Sequence, residues 1–246
     1  MAFEWSDDIA QAAWWVDALH PFGQDVGSVI PDVFEAYARV FHPVVADDGV
    51  RRAWAEVAAN NGRISHPEMQ LHEIGRPVGT PRPPHYDLND WINRADWGTL
   101  PGEEFVALRD ILARHTATPD RCWCGVWEGY GQLHAGRHMA PQKVLDGPRI
   151  AVPGRAYYLL SGPLAEVPHL AERLGDQSPN VWWPDDRAWC VATEIDFAWT
   201  YVGGRPAAID AILADDRVEA LPAKLTDRFT YDSDVLNAAL DTAGGG

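Results

Sequence analysis

Three carboxylates in tryptophan-rich stretches are the residues best spaced for chemistry. In residues 188–202, alternation puts Trp189, Val191, Thr193, Ile195 and Phe197 on one face of a strand, and Cys190, Ala192, Glu194 and Asp196 on the other. In residues 121–129, Trp123 and Trp127 share one face while Cys122, Cys124, Val126 and Glu128 share the opposite one. With like faces together in one sheet, Glu128, Glu194 and Asp196 converge beside small side chains. Such a cluster could hold a divalent cation through oxygen, or raise one carboxyl enough for acid–base work. The competing account is that acids at strand ends simply face water.

Other combinations are weaker. Cys122, Cys124, His134 and His138 offer four ligands of the kind zinc takes. In an extended strand, however, C-x-C sets the two sulfurs about 7 Å apart on one side, and thiols packed as small hydrophobes account better for them. No metal and no cofactor are assigned. His66, Pro67 and Glu68 match the H-x-E half of a zinc deaminase, but the P-C-x-x-C half is missing, since the chain has only Pro119, Cys122 and Cys124 there. His72, Glu73 and His85 border a proline-rich stretch and could transfer protons if they faced a pocket, although a solvated position is the commoner one. Gly203, Gly204 and Arg205 could present backbone N–H groups and a cation to an anion, with a plain tight turn as the preferred reading. Ser161 lacks the G-x-S-x-G context of a nucleophile elbow.

The elements that must position these groups divide by region. Residues 1–75 carry three helical patterns. Ser6 caps the first, which has Ile9, Ala13 and Val16 on one side; Pro31 opens the second, with Phe34, Tyr37, Ala38 and Phe41 as its stripe; Val50, Trp54, Val57 and Ala58 make the third, ended by Gly62. Residues 76–100 are broken by Pro77, Pro81, Pro83 and Pro84 and read as a loop with a short helix around Asp90, either a lid or partner contact or a disordered connector. Residues 101–246 read as α+β: a helix over 99–115, strands at 121–129, 156–160 and 188–202, the last with room for a bend, and helices at 168–174, from Pro206, and at 235–240. The expected fold is one α+β domain with a mostly antiparallel sheet in its second half, helices packed on one face and a helical N-terminal region.

Composition narrows the function classes. The chain has 246 residues, 46% of them apolar, enough for a full core. Its formal net charge of −16, from 36 acidic against 20 basic residues, repels phosphate backbones, so nucleic acid is excluded as a partner and a basic protein is the partner that charge alone would favour. No run is long and apolar enough for a membrane span, MAFEWSDD is not a leader pattern, and three cysteines do not make a disulfide framework; these features point to a soluble cytoplasmic protein.

Three stretches together, FEAYARVFHPV at 34–44, TPDRCWCGVWEGYG at 118–131 and WPDDRAWCVATEIDFAWTYVGG at 183–204, resemble a group of uncharacterised proteins common in actinobacteria. The resemblance implies a single folded unit and brings no activity or site residue with it. Tryptophan-rich α+β proteins of this size include toxin-neutralising immunity proteins, an analogy of class. The expected function is therefore non-catalytic protein binding of an immunity or regulatory type. The alternative is an enzyme, or a small-molecule or metal binder, with a carboxylate-lined pocket on the small face of the sheet.

Overall fold

A computed structural model describes residues 3–23, 25–80 and 94–243. Pro81, Pro83, Pro84, His85 and the helix expected around Asp90 lie outside those residues.

Strands β1 (Glu4–Ser6), β2 (Ala36–Phe41), β5 (Cys122–Trp127), β6 (Ile150–Val152), β7 (Arg155–Gly162), β8 (Val181–Pro184), β9 (Trp189–Ala192), β10 (Trp199–Gly204) and β11 (Glu219–Ala223) form one sheet, and β3 (Val44–Val45) pairs β4 (Arg51–Arg52) apart from it. The order across the sheet is β1-β7-β5-β8-β9-β10-β2-β11, with every pairing antiparallel. β6 shares one edge of β7 with β1, pairing its first half while β1 pairs its second. The α+β class and the antiparallel sheet are as expected, but two of the strands come from the front of the chain.

The helix expected from Pro31 to Phe41 is instead β2, a strand between β10 and β11. Its sequence, AYARVF, satisfies both periods. Tyr37, Arg39 and Phe41 alternate with Ala36, Ala38 and Val40, and β2 is paired on both edges, so the tertiary setting overrides the helical stripe. The third pattern does become helix: α2 (Trp54–Asn60) ends before Gly62, which takes φ +70°. Ser6 ends β1, and the first pattern shrinks to a 3₁₀ turn and the short α1 (Ala13–Val16).

Both sheet faces are buried. One carries Cys122, Cys124, Tyr158, Leu160, Trp182, Trp189, Val191 and Val202, covered by α4 (Gly102–Leu112), α6 (Val167–Arg173) and α7 (Pro206–Leu213). Two further short helices are α3 (Leu71–Ile74) and α5 (Gln142–Leu145). The opposite face, with Trp123, Leu159, Trp183, Cys190, Trp199 and Tyr201, lies under Trp15, Ile30, Trp54, Met69 and Ile74 from the front of the chain. Across β5 and β8, the small Cys124 stands opposite Trp182 on one face, while two tryptophans, Trp123 and Trp183, stand opposite each other on the other. Trp189 also donates its indole N–H to Leu112 O at 3.0 Å, satisfying a carbonyl at the end of α4. The chain ends in α8 (Val235–Ala243). Among the described residues no helix is long and apolar enough to cross a membrane.

Candidate functional site

The strand expected over 188–202 is interrupted after Ala192, and β9 and β10 pair with each other across a turn that holds Glu194 and Asp196. Glu194 accepts the Asp196 N–H at 2.9 Å and shapes that turn. Trp189 and Phe197, expected on one face, therefore enter opposite cores. The two acids still meet, and what brings them together is Arg155 at the start of β7. Its Nε donates to Glu194 at 2.7 Å and its Nη2 to Asp196 at 2.8 Å. Burial would lower this guanidinium, but the two carboxylates outweigh it and hold the group above its ordinary value.

Glu128 is elsewhere. It takes a bond from Arg149 Nε at 2.6 Å, and Arg149 lies over the ring of Tyr158, which belongs to the helix-covered face. The cavity beside Glu194, lined by residues such as Trp15, His20, Tyr157 and Thr193 of the other face, has a volume of about 30 Å³, room for a single water. The three-carboxylate cluster is thus a pair and an outlier, each neutralised by an arginine. The expected small face is not one face: Cys122 and Cys124 lie on the helix-covered side and Cys190 and Ala192 on the other, and all four are packed core.

The zinc candidates separate in the same way. Cys122 and Cys124 are fully buried beneath the helices, and burial pushes the Cys124 thiol well up, with Cys122 adding to it, whereas zinc needs thiolates. His134 bonds Glu128 O at 2.6 Å and His138 bonds Arg173 O at 3.0 Å. Among the described residues no three histidines, cysteines or acids form a group able to hold a metal.

Other expected residues have structural duties. His66 bonds Asp234 at 2.7 Å, and Glu68 accepts the Arg228 N–H, so the H-x-E triplet ties residues 66–70 to the C-terminal part. His72 and Glu73 are buried rather than solvated: the His72 ring stacks on Tyr231 at 3.9 Å, and Glu73 takes a bond from Arg76 at 2.5 Å. Ser161 is paired within β7 to Trp123 and Glu4. Gly203 and Gly204 are the end of β10 instead of a turn, and glycine is needed at 203 because a Cβ there would stand 2.6 Å from Phe34 and 2.9 Å from Tyr37.

Two buried polar groups give no sequence signal. Arg39, 1% exposed, donates Nη1 to Pro67 O at 2.5 Å and lies 3.9 Å from the Trp199 ring centre, 4.7 Å from Phe41 and 5.5 Å from Trp54. Burial lowers it to about 10, so it stays charged at neutral pH, with Nε and Nη2 unbonded. His42, fully buried, lies at the end of a chain of hydroxyls running through Thr200 and Thr193.

A third arrangement is concave and open. A groove of about 900 Å³ runs between the N-terminal segment, the end of α4 and the junction of β10 with α7, wider than the clefts of about 410 Å³ at Arg51 and 590 Å³ at Trp5. Arg114, Arg187 and Arg205 line it, each from a different segment. Ten described arginines close an ion pair with a carboxylate, and these three do not. Arg187 sits at φ +55° after a tight turn and lies over the Trp14 ring at 5.6 Å. Asp186 fixes that turn by accepting from Thr116 Oγ1 at 2.8 Å and Ala117 N at 2.7 Å, joining two walls of the groove. Arg205 is the N-cap residue of α7, whose positive dipole end opens here. The apolar part of the wall includes Phe34 and Val33, the latter 54% exposed. The sequence signal for this site was present only at Arg205.

Comparison with protein-family models, curated proteins and solved structures finds no match to this chain.

Proposed function

We propose that the protein acts by binding, as a non-catalytic partner protein of the immunity or regulatory type, and that the arginine groove is its contact surface. The observation that carries this reading is the gathering of three arginines, none at ion-pair distance from a described carboxylate, in one open concavity lined by apolar side chains and only two acids, Glu35 and Asp186. Guanidinium groups hold their protons at neutral pH, so they supply charge and forked hydrogen bonds to a bound molecule and have no proton to exchange with it. Asp186 joins two of the walls, so binding costs little ordering of the backbone there. The enzyme reading draws support from the meeting of Glu194 and Asp196, yet the arginine between them and the single-water cavity favour a structural pair. The test is affinity capture from a lysate of the native host with the wild type and with R114E/R187E, thermal unfolding confirming that both are folded. A partner held by the wild type and lost from the double variant supports the proposal. Equal capture by both, or a turnover reaction abolished by E194Q, overturns it.

A further inference from the structure

We infer that the occupant of the arginine groove is a short acidic peptide segment of a partner protein, carrying an apolar side chain next to its carboxylates. This rests on the binding role proposed above and names its chemistry.

The sign of the ligand follows from the groove and not from the whole molecule. The chain as a whole carries −16, so a long polyanion approaching it meets repulsion over most of the surface. Within the groove the balance reverses to a small positive excess, because Arg114, Arg187 and Arg205 outnumber the two lining carboxylates, Glu35 and Asp186, and the N-terminal end of α7 adds its dipole. Screening limits each field to about 8 Å at physiological salt, so a segment small enough to fit the groove feels the groove's own slight positive excess more than the charge of the rest of the surface. Their planar forks match carboxylates, which they can bind with two parallel hydrogen bonds.

The walls decide between a bare anion and a peptide. A free phosphate would use the cations and leave Val33 and Phe34 untouched, although Val33 is more than half exposed at this wall. Trp14 adds an aromatic surface and an indole N–H that is buried without a hydrogen-bond partner. An extended segment with alternating acidic and apolar side chains would satisfy both kinds of wall, and a groove of about 900 Å³ has room for several residues.

The experiment is fluorescence anisotropy with a labelled peptide of alternating glutamate and leucine, a lysine and leucine counterpart, and pyrophosphate as competitor. The proteins are the wild type, R114E/R205E, the milder R187Q, and R137E as a control on an exposed arginine outside the groove. The expected result is saturable binding of the glutamate peptide, weakened roughly tenfold or more in R114E/R205E, less in R187Q and unchanged in R137E. Binding should also fall at about 1 M salt, where screening shortens to about 3 Å. No saturable binding of the glutamate peptide, or equal binding by wild type and R114E/R205E, overturns the inference. So does pyrophosphate that displaces the peptide while a leucine-free glutamate peptide binds just as well, since a small anion is then the ligand. If the lysine peptide alone binds, and R114E/R205E does not affect it, the acidic occupant fails while a binding role through another surface stands.

Discussion

His42 shows how one buried side chain couples stability to pH. Its Nδ1–H donates to Asp96 O at 2.7 Å, and its Nε2 is bonded to Thr200 Oγ1 at 2.9 Å, which is bonded in turn to Thr193 Oγ1 at 2.6 Å; in the neutral ring Nε2 accepts from Thr200 and Thr200 accepts from Thr193. Burial, reinforced by the nearby Arg39 charge, lowers the ring's pKa to about 4 despite the bond to Asp96. An unfolded histidine titrates near 6.5, so between that pH and 4 the unfolded chain takes up a proton that the folded chain refuses. Stability is therefore full above about pH 6.5 and falls as pH drops towards 4, by on the order of 3 kcal/mol in total. In H42N this component is absent, and the wild type's advantage over the variant in urea unfolding should shrink between about pH 7 and about pH 4.5. A constant difference would refute the assignment. Nothing in the sequence marked His42, because its burial depends on strands far apart in the chain. Glu194 and Asp196 were legible as neighbours since only Ile195 separates them, while Glu128 needed the sheet to reveal that it faces away.

At the scale of elements, β2 and β10 show where periodicity loses its power. A strand covered on both faces has no polar side, so AYARVF reads equally as a helical stripe, and only pairing with β10 and β11 decides. The end of β10 gives a test. Gly203 passes 2.6 Å from Phe34 as judged by an added Cβ, whereas Gly204 would meet ordinary contacts at 3.4 Å from Trp189 and 3.5 Å from Ala208. G203A is expected to cost about 1–3 kcal/mol through overpacking, and G204A less than about 1 kcal/mol, in denaturant unfolding. Equal costs would mean that the glycines serve backbone freedom and not close approach. The break between β9 and β10 belongs to this scale too. Alternation continues through residues 193–198 in sequence, but the Glu194 carboxylate captures the Asp196 N–H and the chain reverses.

Across the whole molecule, the C-terminal helix closes on the front of the chain. Arg63, its side chain fully buried, donates to Asn237 O at 2.7 Å and to Asp241 at 2.8 Å, and Arg76 also pairs with Asp241. Burial would raise the Asp241 carboxyl, but the bonds from Arg63, Arg76 and the Gly79 N–H hold it at about 2. D241A should therefore cost about 3 kcal/mol in urea unfolding and leave the end of the chain open to proteolysis, because Arg63 is left buried beside a lost partner. An unchanged midpoint would mean that α8 is not held by this clasp. Net charge is another whole-molecule property, and its limits are visible here: −16 suggests basic partners, while the groove offers three cations to an acidic one. The amino-acid order alone determined the class of fold, the tryptophan strands, α2 with its closing glycine and the helices after residue 99, since each rests on contacts between near neighbours or on local backbone preference. Tertiary structure alone decided which face each acid takes, that β2 is a strand, and that Arg114, Arg187 and Arg205 share one groove. Those outcomes depend on burial and electrostatic pairing between residues distant in the chain, whose free energies exist only once the sheet has assembled.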